Sequence, residues 1–259
     1  MQDDYIIRIY GDSTSSPRYK DNVSVSETWA ELIKKYFCEI YPDKNVVLYN
    51  KSQGGTIIKK MRQILINDES YYKGCDGSVF ISLGIVDCGP RPIPSSIRWL
   101  LSKIDKSIRK HIIKFLHDNR TALMKIKYYK YTSEKDFRRH YKKMISKCSQ
   151  YNKVFCVGVG MISDELKKRS PMFDYEIDKY NAIIKDLAEQ YENCYYIDIK
   201  TALTKIKEEN NLSDEELLFE DGHHYTVAGH KYVAQVVSDY IGQNIYCDDK
   251  YCAEVKPLL

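Results

Sequence analysis

The stretch Tyr5-Ile6-Ile7-Arg8-Ile9-Tyr10-Gly11-Asp12-Ser13 decides how the chain is read. Its first six residues, β-branched or aromatic but for one arginine, have the composition of a buried strand. Gly-Asp-Ser then supplies the turn residues that stop it. Four further runs of this kind lie at 46–49, 78–83, 154–159 and 195–199, each followed by a stretch whose apolar residues recur at helical spacing. Strand and helix in alternation make βαβ units, whose strands run parallel in a sheet covered on both faces.

The helix after the first strand is the clearest. Ser24 and Glu27 form an S-x-x-E capping box, and Trp29, Leu32, Ile33, Tyr36, Phe37 and Ile40 follow on one helical face. Segments 174–192 and 226–241 read the same way, the second turning Val227, Tyr232, Val233, Val236 and Val237 inward. The expected fold class is α/β: a three-layer α/β/α sandwich of flavodoxin-like type around a five-stranded parallel sheet. Ligands of such sheets bind beyond the carboxyl ends of the strands, and Ser13 stands at that edge.

A chain of 259 residues, 43% of them hydrophobic, fits a single domain over 1–259 with one substantial core. Its N-terminus, MQDDYIIRIYGDS, carries acidic residues where a secretory signal carries basic ones, and no stretch approaches a membrane span. The expected compartment is the cytoplasm. Eight cysteines without a C-x-x-C pair suit reduced thiols better than a disulfide framework, Cys247 and Cys252 in the tail being the pair to watch.

Segment 92–150 breaks the rhythm and segregates the charge. It holds sixteen Lys/Arg against four Asp/Glu, a net +12 in a chain whose total is +4, which leaves −8 on the remainder. Ile97, Leu100, Leu101, Ile104, Ile108, Ile112, Phe115 and Leu116 mark one helical stripe, with Arg98, Lys103, Arg109, Lys110 and Lys114 mostly elsewhere on the helix. The expectation is a basic helical insertion, a lid or cap that packs its apolar stripe on the domain. Its basic face would attract an anionic substrate or, through 97–116, make peripheral contact with an acidic membrane surface. Tyr128, Tyr129 and Tyr131 interleave with lysines here, but no nucleic-acid-binding module is matched and no nucleic acid is expected as a partner. His111, His117 and His140 read as solvated members of the insertion.

A serine hydroxyl is a poor nucleophile at neutral pH and needs an imidazole to take its proton and a carboxylate to orient that imidazole. Asp221-Gly222-His223-His224, in a turn before the last helix, offers both. Spacing favours His224 over His223 as the base, because an Asp three residues earlier can reach its ring as the chain curls into the helix. His223 is then a neighbour, a candidate substrate contact, and His230 reads as structural. Two more loops follow strands two and three, Asn50-Lys51-Ser52-Gln53-Gly54-Gly55-Thr56 and Leu83-Gly84-Ile85-Val86-Asp87-Cys88. A glycine opening a helix there can offer a backbone N–H to a developing oxyanion.

Taken in order, these blocks resemble the SGNH (GDSL-like) serine hydrolase family, and the resemblance spans nearly the whole chain. Gly11-Asp12-Ser13 matches the first block, Gly55 the second by its distance from Asn50, and Asp221-Gly222-His223-His224 the fourth. The resemblance implies an esterase without cofactor or metal in which Ser13 attacks an acyl carbonyl, His224 is the general base and Asp221 orients it. It also implies that the N–H groups of Ser13 and Gly55 bind the oxyanion. The third block departs from the family: Gly84-Ile85-Val86-Asp87 has valine where the family has the asparagine that donates a third oxyanion hydrogen bond. Arg91 is the candidate replacement donor, and Asp87 a further auxiliary candidate. The expected substrate is a small acyl ester, such as acetyl, on a carbohydrate or other polar metabolite, and a charged donor would suit an anionic one. Two alternatives belong beside this reading. One is a non-hydrolytic binding module or acyltransferase on the same fold. The other is a metal-dependent phosphoesterase with Asp12, Asp87, Asp221 and His224 around a cation.

Overall fold

The computed structural model describes residues 3–245, apart from 73 and 151–152. Five strands, β1 (Asp4–Gly11), β2 (Asn45–Asn50), β3 (Gly77–Ser82), β4 (Lys153–Val157) and β5 (Cys194–Ile197), form one sheet in the order β2-β1-β3-β4-β5, every pair parallel. They are the five expected runs, with ends displaced by at most two residues.

Because side chains alternate along a strand, each run feeds two cores. Val79 and Ile81 of β3 and Val154 and Cys156 of β4 face one helical layer, formed by α2 (Ile58–Tyr72), α7 (Glu134–Cys148) and α9 (Phe173–Ala188). Phe80, Phe155 and Val157 face the other, formed by α1 (Trp29–Ile40), α10 (Ile199–Glu209) and α12 (Val227–Ile245). On that face Phe80 stacks on Phe155 at 4.7 Å and Phe155 on Tyr195 at 5.5 Å, tying three neighbouring strands. Arg8, the arginine within the first run, is buried and ion-paired with Glu69 of α2. Short helices α3 (Ile85–Cys88), α8 (Asp164–Arg169) and α11 (Asp214–Leu217) sit in the connections. The strand order reverses at β1, whose partners are β2 on one side and β3 on the other, so the crevice of a doubly wound sheet opens where β1 ends.

Four expectations are corrected. The capping box is real, Glu27 Oε2 accepting from Ser24 N at 2.9 Å, but it closes a 3-10 turn over Val25–Glu27. The N-cap of α1 is Thr28, whose Oγ1 accepts from Glu31 N at 3.4 Å.

Segment 92–150 is not one insertion. Only α4 (Ser95–Leu101), α5 (Lys106–Asp118) and α6 (Arg120–Ile126) lie outside the layers, whereas α7 is a core helix with Phe137, Tyr141, Met144, Ile145 and Cys148 buried. Arg138, Arg139, Lys142 and Lys143 are its exposed outer face, so counting charge merged a layer helix with the arm before it. His140 is buried in α7 and bonded through Nδ1 to Arg62 Nη1 at 3.1 Å; burial and the neighbouring arginine charges lower its pKa.

The apolar stripe of the arm is not packed on the domain: α5 has no buried residue, and Ile97, Trp99, Leu100, Ile108 and Phe115 are exposed. Leu101, Ile104, Ile112 and Leu116 are half-buried.

Cys38, Cys75, Cys88, Cys148, Cys156 and Cys194 are free thiols, and Cys247 and Cys252 lie outside the described residues. No described helix is long and apolar enough to cross a membrane.

Candidate active site

The chain leaves β1 at Gly11 and turns at once. Asp12 N–H donates to Ser82 O at the end of β3 (3.2 Å), and Asp12 Oδ1 accepts from Thr14 N (3.0 Å) and Thr14 Oγ1 (2.8 Å), capping a single 3-10 turn over Ser13–Ser15. Asp12 is fully enclosed, and that burial outweighs these bonds and raises its pKa. The loop after β2 closes against the same turn: Gln53 N–H donates to Gly11 O at 3.1 Å and Asn50 Nδ2 to Ser15 O at 2.8 Å. Gly11 makes this approach possible, since a Cβ there would lie 2.6 Å from Ser52 Oγ and 2.7 Å from Ser15 Oγ.

The second half of the site is the turn before α12. Asp221 Oδ1 accepts from the backbone N–H of His224 at 3.1 Å and of His223 at 3.3 Å, folding the four residues onto one carboxylate. Gly222 holds φ +77, and its carbonyl accepts from Ser163 N–H at 2.9 Å; a Cβ there would lie 2.3 Å from Ser163 Oγ. The turn is closed by Phe219 N–H donating to His224 O at 2.9 Å.

These turns meet. His224 Nδ1 lies 2.7 Å from Asp221 Oδ2, and His224 Nε2 lies 2.7 Å from Ser13 Oγ. Burial pushes the Asp221 carboxyl up, but the hydrogen bond from His224 and the charges of both histidines outweigh it and hold the group well below the usual carboxylate range. An ionised carboxylate only accepts, so Nδ1 of His224 carries the ring proton and Nε2 is free to accept from the Ser13 hydroxyl. His223 takes another direction. Its Nδ1 donates to the Asp221 carbonyl at 3.1 Å, and burial together with the nearby His224 and Arg18 brings its pKa down to about 4. It lines the cavity next to the turn. His230 is enclosed, its Nδ1 accepting from Trp29 N–H at 3.3 Å.

Gly55 stands at φ +67 in the loop after β2, in open space, while a Cβ on its neighbour Gly54 would come 4.0 Å from Ser13 Cβ. Gly54 thus lies beside Ser13, with Gly55 next to it in the chain. Val86 is half-buried on α3 and lines the cavity beside Asp221 and His223, where its methyl groups offer no hydrogen-bond donor.

Asp87 is not at the site. It is wholly buried, its carboxylate accepting from Ile58 N–H at 3.0 Å and from Thr132 Oγ1, where it caps α2. Burial raises its pKa to about 7. The cation set of Asp12, Asp87, Asp221 and His224 is accordingly not assembled. Asp221, His223 and His224 do come within 4.8 Å of one another, but both ring nitrogens of His224 are already engaged there. Arg91 lines the cavity with Val86, its guanidinium 3.8 Å over the Tyr131 ring.

Arg18 was not legible as a site residue. It reaches back from the loop after β1 to place Nη2 3.2 Å from Asp221 Oδ2, on the carboxylate oxygen that His224 also uses. Asp21 holds it from the other side at 2.6 Å. Its place a few residues after Ser13 is the only hint the sequence gives.

Fold and site together define an ester hydrolase of the SGNH type. Residues 9–232 match the GDSL-like lipase/acylhydrolase family, and the chain belongs to that family. No curated protein matches it in sequence. Among solved structures it is similar to the lipase/acylhydrolase from Enterococcus faecalis, with TM-score 0.60 and 16% identity over 92% of this chain and 95% of that one. It is also similar to a catalytic mutant of Axe2, an acetylxylan esterase from Geobacillus stearothermophilus (TM-score 0.62, 16% identity, 93% and 97% covered). A third is LAE5, an alpha/beta hydrolase from the metagenome of Lake Arreo, Spain (0.62, 13%, 92% and 95%). At these identities the likeness is one of fold.

Proposed function

We propose that the protein is a serine esterase that removes a small acyl group, acetyl in the simplest case, from a carbohydrate or other polar metabolite. The observation that carries this reading is the unbroken line from Ser13 Oγ through His224 to Asp221, two contacts of 2.7 Å each. Ser13 Oγ attacks the acyl carbonyl while His224 Nε2 takes its proton, and Asp221 stabilises the imidazolium that results. The N–H groups of Ser13 and Gly55 receive the oxyanion. Collapse breaks the C–O bond, and the departing alcohol takes the proton back from His224. Water then repeats the sequence on the acyl-enzyme and releases the acid.

Support for a small acyl group on a sugar comes from the likeness in fold to Axe2, an acetylxylan esterase. Val86 provides no third donor, and loss of such a donor lowers turnover by roughly a hundred- to a thousand-fold where nothing replaces it. The reading therefore carries a slow enzyme. The test is acetate release from a panel of acetylated sugars set beside longer-chain acyl esters of the same alcohols. Preference for acetyl on a sugar supports it; preference for long acyl chains overturns the substrate assignment and leaves the esterase.

A further inference from the structure

Beside the Asp221 turn lies a cavity of about 310 Å³. It is lined by apolar Ile85, Val86, Leu166 and Phe173, by Arg91, Arg120 and Arg169, and by Asp221 and His223 of the catalytic turn. Among the described residues no carboxylate pairs with any of these three arginines, although ion pairs are plentiful elsewhere on the molecule. Like charges gathered without a counter-charge repel one another, and the protein gains nothing in stability from collecting them.

Two of the three arginines are nevertheless held in place. The backbone of Arg91 is bridged to Tyr129 in both directions, at 2.8 and 2.9 Å, and its guanidinium sits 3.8 Å over the Tyr131 ring. Arg120 donates through Nη2 to Pro90 O at 2.8 Å. The Nε–H of Arg91 and of Arg120 are buried with no acceptor. Burial, and for Arg120 the charges of Arg169 and Arg91, pull both groups below the ordinary arginine range. A pre-positioned, uncompensated cluster of planar donors is what recognition of a carboxylate or phosphate requires.

We infer that Arg91, Arg120 and Arg169 form an anion subsite, and that the substrate is an ester carrying a phosphate or carboxylate group a short apolar span away from the reacting carbonyl. The span crosses Val86 and Phe173, which gives the valine a role: an amide there would place a polar group in the wall the substrate crosses. This inference rests on the esterase reading for its catalytic readout and on cavity geometry for the binding itself.

The test uses the full chain, the variant Arg120→Gln/Arg169→Gln, and two matched esters, neutral 4-nitrophenyl acetate and anionic 4-acetoxyphenyl phosphate, with a mono-4-nitrophenyl succinate arm for a carboxylate. The expected result is that the ratio of kcat/KM for an anionic ester to that for the neutral one falls at least about tenfold in the variant, as loss of charge-assisted hydrogen bonds predicts. Which anionic ester shows the fall separates phosphate from carboxylate. A ratio unchanged within about twofold for both overturns the subsite.

Calorimetric titration of the Ser13→Ala protein with phenyl phosphate and with benzoate keeps the question open to decision if no ester is turned over. Binding of either that disappears when the two glutamines are added supports the subsite even if the esterase reading fails. Absence of binding by both ligands, or binding that the glutamines leave intact, overturns it.

Discussion

Two regions of the molecule collect charge, and they treat it in opposite ways. At the sheet edge each of these acidic and basic groups has a partner: Asp221 lies between His224 and Arg18, Arg18 is held by Asp21, and Asp12 accepts hydrogen bonds from Thr14. In the cavity a few residues away, Arg91, Arg120 and Arg169 have no acidic partner among the described residues. The first arrangement is complete within the protein and is ready to act on whatever ester arrives. The second is complete only with something anionic in it. Reactivity is thus built into the turns at the sheet edge, and on the inference drawn above selectivity is left to the arm and loops around the cavity.

The comparison can be broken most sharply at the edge. Replacing Ser13 or His224 by Ala should lower kcat on an activated ester by about 10⁴-fold or more, the scale on which such paired groups act as a unit; steady-state turnover of 4-nitrophenyl acetate measures it. Loss of less than about tenfold would mean that hydrolysis occurs elsewhere.

Val86→Asn offers the family's third donor and should raise kcat on the neutral ester by about tenfold, part of the range such donors contribute. If it instead lowers turnover of both neutral and anionic esters, the cavity wall matters more than the missing hydrogen bond.

Arg18→Gln removes the cation that shares Asp221 Oδ2 with His224. About a fivefold to tenfold fall in kcat is expected with KM nearly unchanged, the mark of a group that positions rather than binds. A rise in KM alone would place Arg18 against the substrate instead.

The smallest effect is one of stability. The folded-state pKa of Asp87 is raised to about 7 from an unfolded value near that of ordinary aspartate. A raised acid contributes stability that is fully present below its unfolded pKa and is lost as pH rises through its folded pKa. The Tm of Asp87→Asn relative to that of the parent should therefore rise by a few degrees between pH 5 and pH 8, followed by circular dichroism. A constant difference across that interval would show that Asp87 titrates normally.

The contrast between the regions also explains what could be read from the chain. The five strands were legible because β-branched runs that end in turn residues leave few other conformations, and the Gly-Asp-Ser and Asp-x-x-His blocks were legible because each sits in such a turn. Those parts of the site are local. Arg18 was missed because its partner lies at the other end of the chain, at Asp221. Asp87 was misplaced because a carboxylate after a strand looks the same whether it faces the ligand or caps α2 from within. The basic segment was misjudged for a related reason: total charge does not distinguish the wet face of core helix α7 from the arginines that line a cavity. The packed apolar stripe expected on the arm is instead largely exposed, because amphipathic spacing states that a helix has an apolar side and not what covers it.

The most direct test of the account is the intact mass of the protein after exposure to a small fluorophosphonate, which phosphonylates a serine only when a base has activated it. The account predicts one adduct on the native chain, carried by Ser13, and none on Ser13→Ala or His224→Ala. Adduct that persists on Ser13→Ala, or a native chain that stays unmodified at high reagent and long times, would contradict it.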